Sequence, residues 1–220
     1  MSRVSELLST TPLFNLSIMS LCCLIYLYQI LFDPNLTHYT LCPRDVLYLH
    51  SYYRLVTNTL FHGGLMHIGM NMSATLAIGN TLERRFGTLK YGLTVSWGIL
   101  LTSGVYVLTA WALSVVAGAS SNDGLMYSHS VGFSGVIFQL SVIEAHLSPE
   151  SSRSVFGFFR VPAWGYPWAL LIAIQVIMPH ISFMGHLAGI IVGTLQVYGY
   201  LDCFFPKNEF LRGMEEDNAQ

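Results

Sequence analysis

Apolar positions in this chain fall into six blocks, 14–32, 61–80, 91–117, 132–147, 163–179 and 183–205, separated by shorter polar stretches. Crossing a hydrocarbon core of roughly 30 Å takes about 20 apolar helical residues, and most of the blocks approach or exceed that length. The pattern predicts an all-α, polytopic membrane protein with six transmembrane helices. The first block follows the weakly charged MSRVSELLSTTP and has no small-residue cleavage site after it, so it is expected to remain as a helix. No long linker interrupts the pattern. The expected organisation is a cytosolic N-terminus at 1–12, one membrane domain at 13–205 and an acidic cytosolic tail at 206–220.

Composition agrees with a membrane location: 53% of the residues are hydrophobic and only 10% charged, against about a quarter charged in soluble domains. A net charge of -2, with no run of Lys or Arg, excludes nucleic acid as a partner. The basic residues set the orientation. With both termini cytosolic, Arg3, Arg84, Arg85, Lys90, Arg153, Arg160, Lys207 and Arg212 lie on the cytosolic side, and only Arg44 and Arg54 lie opposite. The loops 33–60 and 118–131 are then luminal or extracellular. Cys22, Cys23, Cys42 and Cys203 show neither a disulfide framework nor a metal-ligand spacing.

Candidate chemistry begins in the fourth block, which opens VGFSGVIF and is short, about 24 Å as a helix. Counting back from residue 147 places Ser134 roughly 10 Å beneath the outer face of an upright helix. The polar loop before it must dip to meet it, and polar backbone at that depth is tolerated only inside protein or beside a water-filled cavity. Ser134 admits two readings. It is a nucleophile served by a base, or it is a small residue that lets helices pack closely, with Gly132 and Gly135 beside it.

The last block contains FMGHLAGIIVGTL. Gly185, Gly189 and Gly193 recur every four residues, a stripe along which a neighbouring helix can approach backbone to backbone, and His186 sits at its edge. An intramembrane histidine is a candidate base, or else a structural donor to a carbonyl. No acid follows close by: Glu144 and Asp202 fall far along their helices, which leaves a Ser–His dyad, with Phe138 one turn after Ser134 and able to stack on the imidazole. In the second block, HGGLMHIGMNM, His67 and Asn71 share a helix face and are candidate oxyanion donors or interhelical bonds. His62 falls on a different face of a regular helix and is assigned no role. A zinc site is excluded on spacing, because Ile68 and Asn71 stand where His-Glu-x-x-His requires Glu and His.

Taken together, HxxxN at His67–Asn71, GxSG at Gly132–Gly135 and GHxxGxxxG from Gly185 to Gly193 resemble the rhomboid family of intramembrane serine proteases, over about Tyr53 to Tyr200. The resemblance implies Ser134 as nucleophile and His186 as base, with an oxyanion hole from His67, Asn71 and the Ser134 amide. It implies no cofactor or metal, and transmembrane proteins in the lipid bilayer as substrates. Glu83 and Arg85 match the family's ExR pair, which looks structural. Where many rhomboids carry Trp-Arg in the first outer loop, this chain has Tyr53-Arg54, and a weaker contact is expected there. The segment SRSVFGFFRVPAWGYPWALLIAIQVIM looks closest to eukaryotic endomembrane rhomboids of the ER or Golgi. Some of those carry a ubiquitin-binding domain, for which the residues after Phe210 are too few. Two other functions compete. A non-catalytic rhomboid relative that binds membrane proteins for quality control usually lacks the serine or the histidine, and a channel or transporter would show inverted repeats and mid-membrane charges.

Overall fold

The computed structural model describes residues 10–118 and 124–206. Expectations for residues 1–9, for 119–123 and for the acidic tail, including Arg3, Lys207 and Arg212, lie outside the described residues. The chain is mostly helical: α1 Leu13–Phe32, α2 Pro43–Tyr48, α3 Arg54–Leu60, α4 Leu65–Phe86, α5 Thr88–Val116, α6 Ser134–Leu147, α7 Tyr166–Ile177 and α8 Phe183–Val197. Two of these, α1 and α5, are by themselves long and apolar enough to cross a membrane. By contrast α6, α7 and α8 have only 14, 12 and 15 residues. Leu24, Leu31, Val116 and Val176 lie exposed on the helices, as suits a protein surrounded by lipid and not water.

Several boundaries differ from the hydropathy blocks, each for a local reason. The second block yields a helix at Leu65 and not at 61, because Gly64 is extended at φ 163° and breaks the chain after Gly63. That helix runs on past residue 80 to Phe86, where Gly87 at φ 84° turns the chain directly into α5. The last block is helical only to Val197; the chain then turns at Gly199, and Asp202–Phe204 form a separate 3₁₀ turn. Hydropathy also missed two pieces of structure. Residues 33–60 contain α2, started by Pro43 in its first turn, and α3. Between α6 and α7, strands β1 Ser152–Val155 and β2 Phe159–Pro162 pair antiparallel in a hairpin, so the chain is not purely helical.

At the centre, α6 packs along α8. A side-chain carbon at Gly189 would lie 2.9 Å from the Phe138 Cβ and would also strike the Gly135 carbonyl, and one at Gly193 would lie 2.7 Å from the Gln139 carbonyl oxygen. Only hydrogen at these positions lets the two backbones approach so closely. In a bilayer, where lipid tails are as apolar as leucine, close packing and not water exclusion holds helices together. The packed layer is completed by Val136, Leu140 and Ile190, all fully buried.

Polar groups pin the other ends. The Glu83 carboxylate accepts hydrogen bonds from the Phe14 and Asn15 amides at 2.9 and 2.7 Å and from the Thr88 hydroxyl at 2.8 Å. A carboxylate thus satisfies two orphan amides at the start of α1, where the helix dipole also favours negative charge. Arg85 donates to the Leu147 carbonyl at the end of α6, 2.8 Å away. The LERRFG pair therefore ties α1 and α6 to the end of α4.

Candidate active site

The loop before Ser134 is held down by backbone bonds. Leu41 and Ser130 exchange hydrogen bonds at 2.8 and 3.0 Å, and the Gly132 amide donates to the Asn58 carbonyl at 2.7 Å. Asn58 is fixed in turn by its carboxamide, which donates to the Ser103 hydroxyl at 3.0 Å and to the Arg54 carbonyl at 2.6 Å. Arg54, in the Tyr53-Arg54 pair, is 6% exposed. Its guanidinium donates to the Thr37 and Thr40 carbonyls at 2.6 and 2.7 Å and pairs with Asp45 at 3.0 Å. Arg54 is thus held by two carbonyls and one carboxylate.

Ser134 is the first residue of α6. Its hydroxyl lies 2.9 Å from the Nε2 of His186, a residue distant by 52 positions in the chain. His186 is in the first turn of α8, which Ser182 caps by accepting a hydrogen bond from the Gly185 amide at 3.1 Å. The imidazole is 3% exposed and stacks on the Phe138 ring, with centroids 4.5 Å apart and planes inclined by 26°. Its Nδ1 is buried without a hydrogen-bond partner among the described residues. Glu144 is engaged elsewhere, in an ion pair with Arg153, and that hydrogen bond raises the guanidinium pKa above its ordinary value.

His67 and Asn71 occupy successive turns at the start of α4. The Gly63 amide donates to His67 Nδ1 at 3.3 Å, so the neutral ring carries its proton on Nε2, which is buried and has no partner among the described residues. Asn71 spends one carboxamide hydrogen on the His67 carbonyl, 2.9 Å away, and retains the other. Both groups crowd Gly132: a side-chain carbon there would lie 2.7 Å from His67 Nε2 and 3.6 Å from Asn71 Nδ2. Gly132 also has φ 111°, a conformation few other residues adopt. The Ser134 amide, in the first turn of α6, has no intrahelical acceptor by position. His67 and Asn71 thus lie against Gly132, two residues before the serine, and line the same groove as Ser134 and His186.

His62 departs from expectation. Because the helix starts only at Leu65, His62 is not on a face of α4; it is fully buried and its ring meets that of His67 edge-on at 5.3 Å. Gln29 of α1 grips it from outside, donating to its carbonyl at 2.9 Å and accepting from its amide at 3.1 Å. The Gly63-Gly64 pair was the available signal that a regular helical wheel does not extend back to residue 62.

Two cavities meet at the pair. A small one beside the serine is lined by polar groups that include Asn58, Thr102, Ser103 and Ser182. A longer apolar groove runs between α4 and α7, floored by Ile137 and Phe138 and ending at Ser134 and His186. Met66, Met70, Ala74 and Ile78 line one wall at four-residue intervals, and Leu170 and Ile174 line the other. That spacing is visible in the sequence, but nothing in it says which two helices stand apart.

Helices of this arrangement, with a serine and a histidine meeting inside an apolar bundle, define a class of intramembrane proteins. The rhomboid domain family matches residues 49–203, and the chain belongs to the rhomboid family. It is 36% identical to rhomboid-like protein 15 of Arabidopsis thaliana over 216 residues, 97% of this chain and 53% of that protein. It is 37% identical to rhomboid-related protein 4 of Homo sapiens over 148 residues, 67% of this chain and 46% of that protein. To rhomboid-type serine protease B of Aspergillus fumigatus the identity is 28% over 218 residues, 97% and 76% of the two chains. The chain spans about half the length of the first two of these relatives.

Proposed function

We propose that this rhomboid is a serine endopeptidase that hydrolyses transmembrane proteins within or near their membrane-spanning helices. The observation that carries the proposal is the 2.9 Å contact between the Ser134 hydroxyl and His186 Nε2 at the end of an apolar groove. In this reading α1, α4, α5, α6, α7 and α8 are six membrane spans forming one domain at 13–205, the termini are cytosolic, and the membrane is that of the ER or Golgi. No cofactor takes part.

His186 Nε2 removes the hydroxyl proton as Ser134 Oγ attacks the scissile carbonyl carbon. The resulting oxyanion is held by the Ser134 amide, His67 Nε2–H and the free hydrogen of Asn71 Nδ2. Collapse breaks the C–N bond, and the imidazolium returns its proton to the leaving amine. Water then enters by the same base and hydrolyses the ester, restoring the serine. Gly132, Gly135, Gly185, Gly189 and Gly193 keep α6, α8 and the loop before α6 close, and Phe138 orients the imidazole.

A regular substrate helix has its amides satisfied and offers no extended segment to the serine, so cutting requires local unwinding. Substrates with Gly or Pro near the outer end of the helix should be cut, and Leu at those positions should suppress cutting. The decisive experiment reconstitutes purified protein in liposomes with such substrates and compares Ser134→Ala and His186→Ala with the parent. Both variants should insert, remain monodisperse and lose cleavage. A serine-reactive fluorophosphonate should label the parent at Ser134 and spare Ser134→Ala. Cleavage by Ser134→Ala at the parent's rate would refute the proposal and favour a non-catalytic binding role for the groove.

A further inference from the structure

The β1–β2 hairpin takes no part in the chemistry above, yet it is firmly built. Its register pairs Ser154 with Arg160 and Val155 with Phe159. One face is committed to the helices: Val155 is 1% exposed. On the same face Arg153 pairs with Glu144 of α6 and lies over the Tyr166 ring of α7 at 5.7 Å. On the opposite face Arg160 donates to the Ser152 hydroxyl and carbonyl at 3.1 and 2.9 Å. A loop docked this tightly could bury its apolar residues. It does the reverse at the tip, where Phe158 is 88% exposed, and Trp164 just beyond the hairpin is 76% exposed.

Helix length explains what such a tip could cover. At 12 residues, α7 spans about 18 Å of a hydrocarbon core of roughly 30 Å, so its neighbours must lie within the remaining thickness. Trp164, Trp168, Ile172 and Val176 recur every four residues and are all exposed, so the outward apolar face of α7 continues without a break into the hairpin. Trp is favoured at headgroup level, and Arg there reaches the phosphates while its stem stays in the apolar layer. Between residues 151 and 162 the charges are Arg153 and Arg160, with no acidic residue. Of the two, Arg160 faces away from the protein.

We infer that the hairpin is an interfacial anchor, with Phe158 and Trp164 seated at the headgroup–acyl boundary of the leaflet at the inner ends of α6 and α7, and Arg160 at the lipid phosphates. Phe156 and Tyr166 line the end of the α4–α7 groove away from the serine–histidine pair. The anchor therefore forms the lipid-side rim of that groove. The inference rests on reading α7 as a membrane span, but not on proteolysis.

The test uses the full chain with Cys23→Ser and Cys203→Ser, the two exposed cysteines; Cys22 and Cys42 are buried. A nitroxide is attached at Phe158→Cys or Trp164→Cys, with Glu150→Cys and Ile172→Cys as aqueous and lipid references, in liposomes of phosphatidylcholine and phosphatidylglycerol. Power saturation then compares accessibility to oxygen and to a water-soluble nickel complex. Labels at 158 and 164 should favour oxygen and report a depth between the phosphates and the label at 172. Nickel accessibility like that at 150 would overturn the anchor while leaving the span at 172 intact. Shielding from both reagents would also overturn it, because the tip would then be covered by protein. Nickel accessibility at 172 itself would remove the six-span reading along with the anchor.

Discussion

Among the described residues His67 and Asn71 each keep one side-chain hydrogen unspent close to Gly132, and the reason differs for each. The Gly63 amide occupies His67 Nδ1 and leaves the proton on Nε2, whereas Asn71 has two hydrogens and spends one on the His67 carbonyl. In the proposed mechanism each donor is in place before the oxyanion forms, so losing one should weaken the transition state and not substrate binding. His67→Ala and Asn71→Ala are each expected to lower kcat about 100-fold, roughly 3 kcal/mol, with KM little changed. Steady-state cleavage in liposomes measures this, and unchanged kcat in both variants would remove them from the oxyanion hole. His186 is a different case. With Nδ1 unpartnered among the described residues and an aromatic ring stacked on the imidazole, the imidazolium of the proposed mechanism finds no carboxylate among those residues, and turnover should be slow compared with a Ser-His-Asp triad.

The distance between Ser134 and His186 is a property of two helices and not of two residues. It depends on α6 and α8 meeting backbone to backbone at Gly135, Gly189 and Gly193. Valine at Gly189 adds three carbons where even the first would strike the Gly135 carbonyl and the Phe138 Cβ. Overpacking by a few methylenes usually costs about 1–3 kcal/mol, and here the obstacle is backbone that cannot rotate away. Gly189→Val should therefore lower the thermal unfolding midpoint and abolish fluorophosphonate labelling of Ser134. Gly104→Ala, inside α5 with nothing within 4 Å of the added carbon, should lower neither. Equal behaviour of the two variants would mean that α6 and α8 can separate without consequence.

Across the whole molecule, the basic residues argue for one orientation. Arg84, Arg85, Lys90, Arg153 and Arg160 fall at one end of the helices, with Arg44 and Arg54 at the other, and Arg54 is consumed by Asp45 and the Thr37 and Thr40 carbonyls. Glu150, just after α6, belongs to the basic end. In cells whose plasma membrane alone is permeabilised, a membrane-impermeant maleimide should label Glu150→Cys while the internal membranes stay sealed, on a Cys23→Ser and Cys203→Ser background. Labelling that appears only once the internal membranes are opened as well would invert the orientation and put the acidic and basic segments on the sides opposite to those proposed.

Hydropathy and spacing determined where the apolar helices lie, that Gly185, Gly189 and Gly193 share a stripe, and that a serine, two histidines and an asparagine fall in three different segments. These are properties of a residue and its neighbours within a few turns, and so they can be read along the chain. The position of His62 could not be, because it depends on a backbone break at Gly64 that takes the residue off the helical wheel and turns its ring onto His67. Neither could α2 and α3 in the segment 33–60, where Arg54 and its carbonyl acceptors supply what short segments lack in intrinsic stability. The β1–β2 hairpin is held by Arg153 on Glu144 and by Val155 beneath it. The groove exists because α4 and α7 stand apart while α6 and α8 close up. Only the packed structure decides which helices touch, because a glycine stripe permits a close approach but does not choose the partner, and it is that choice which brings Ser134 and His186 to 2.9 Å.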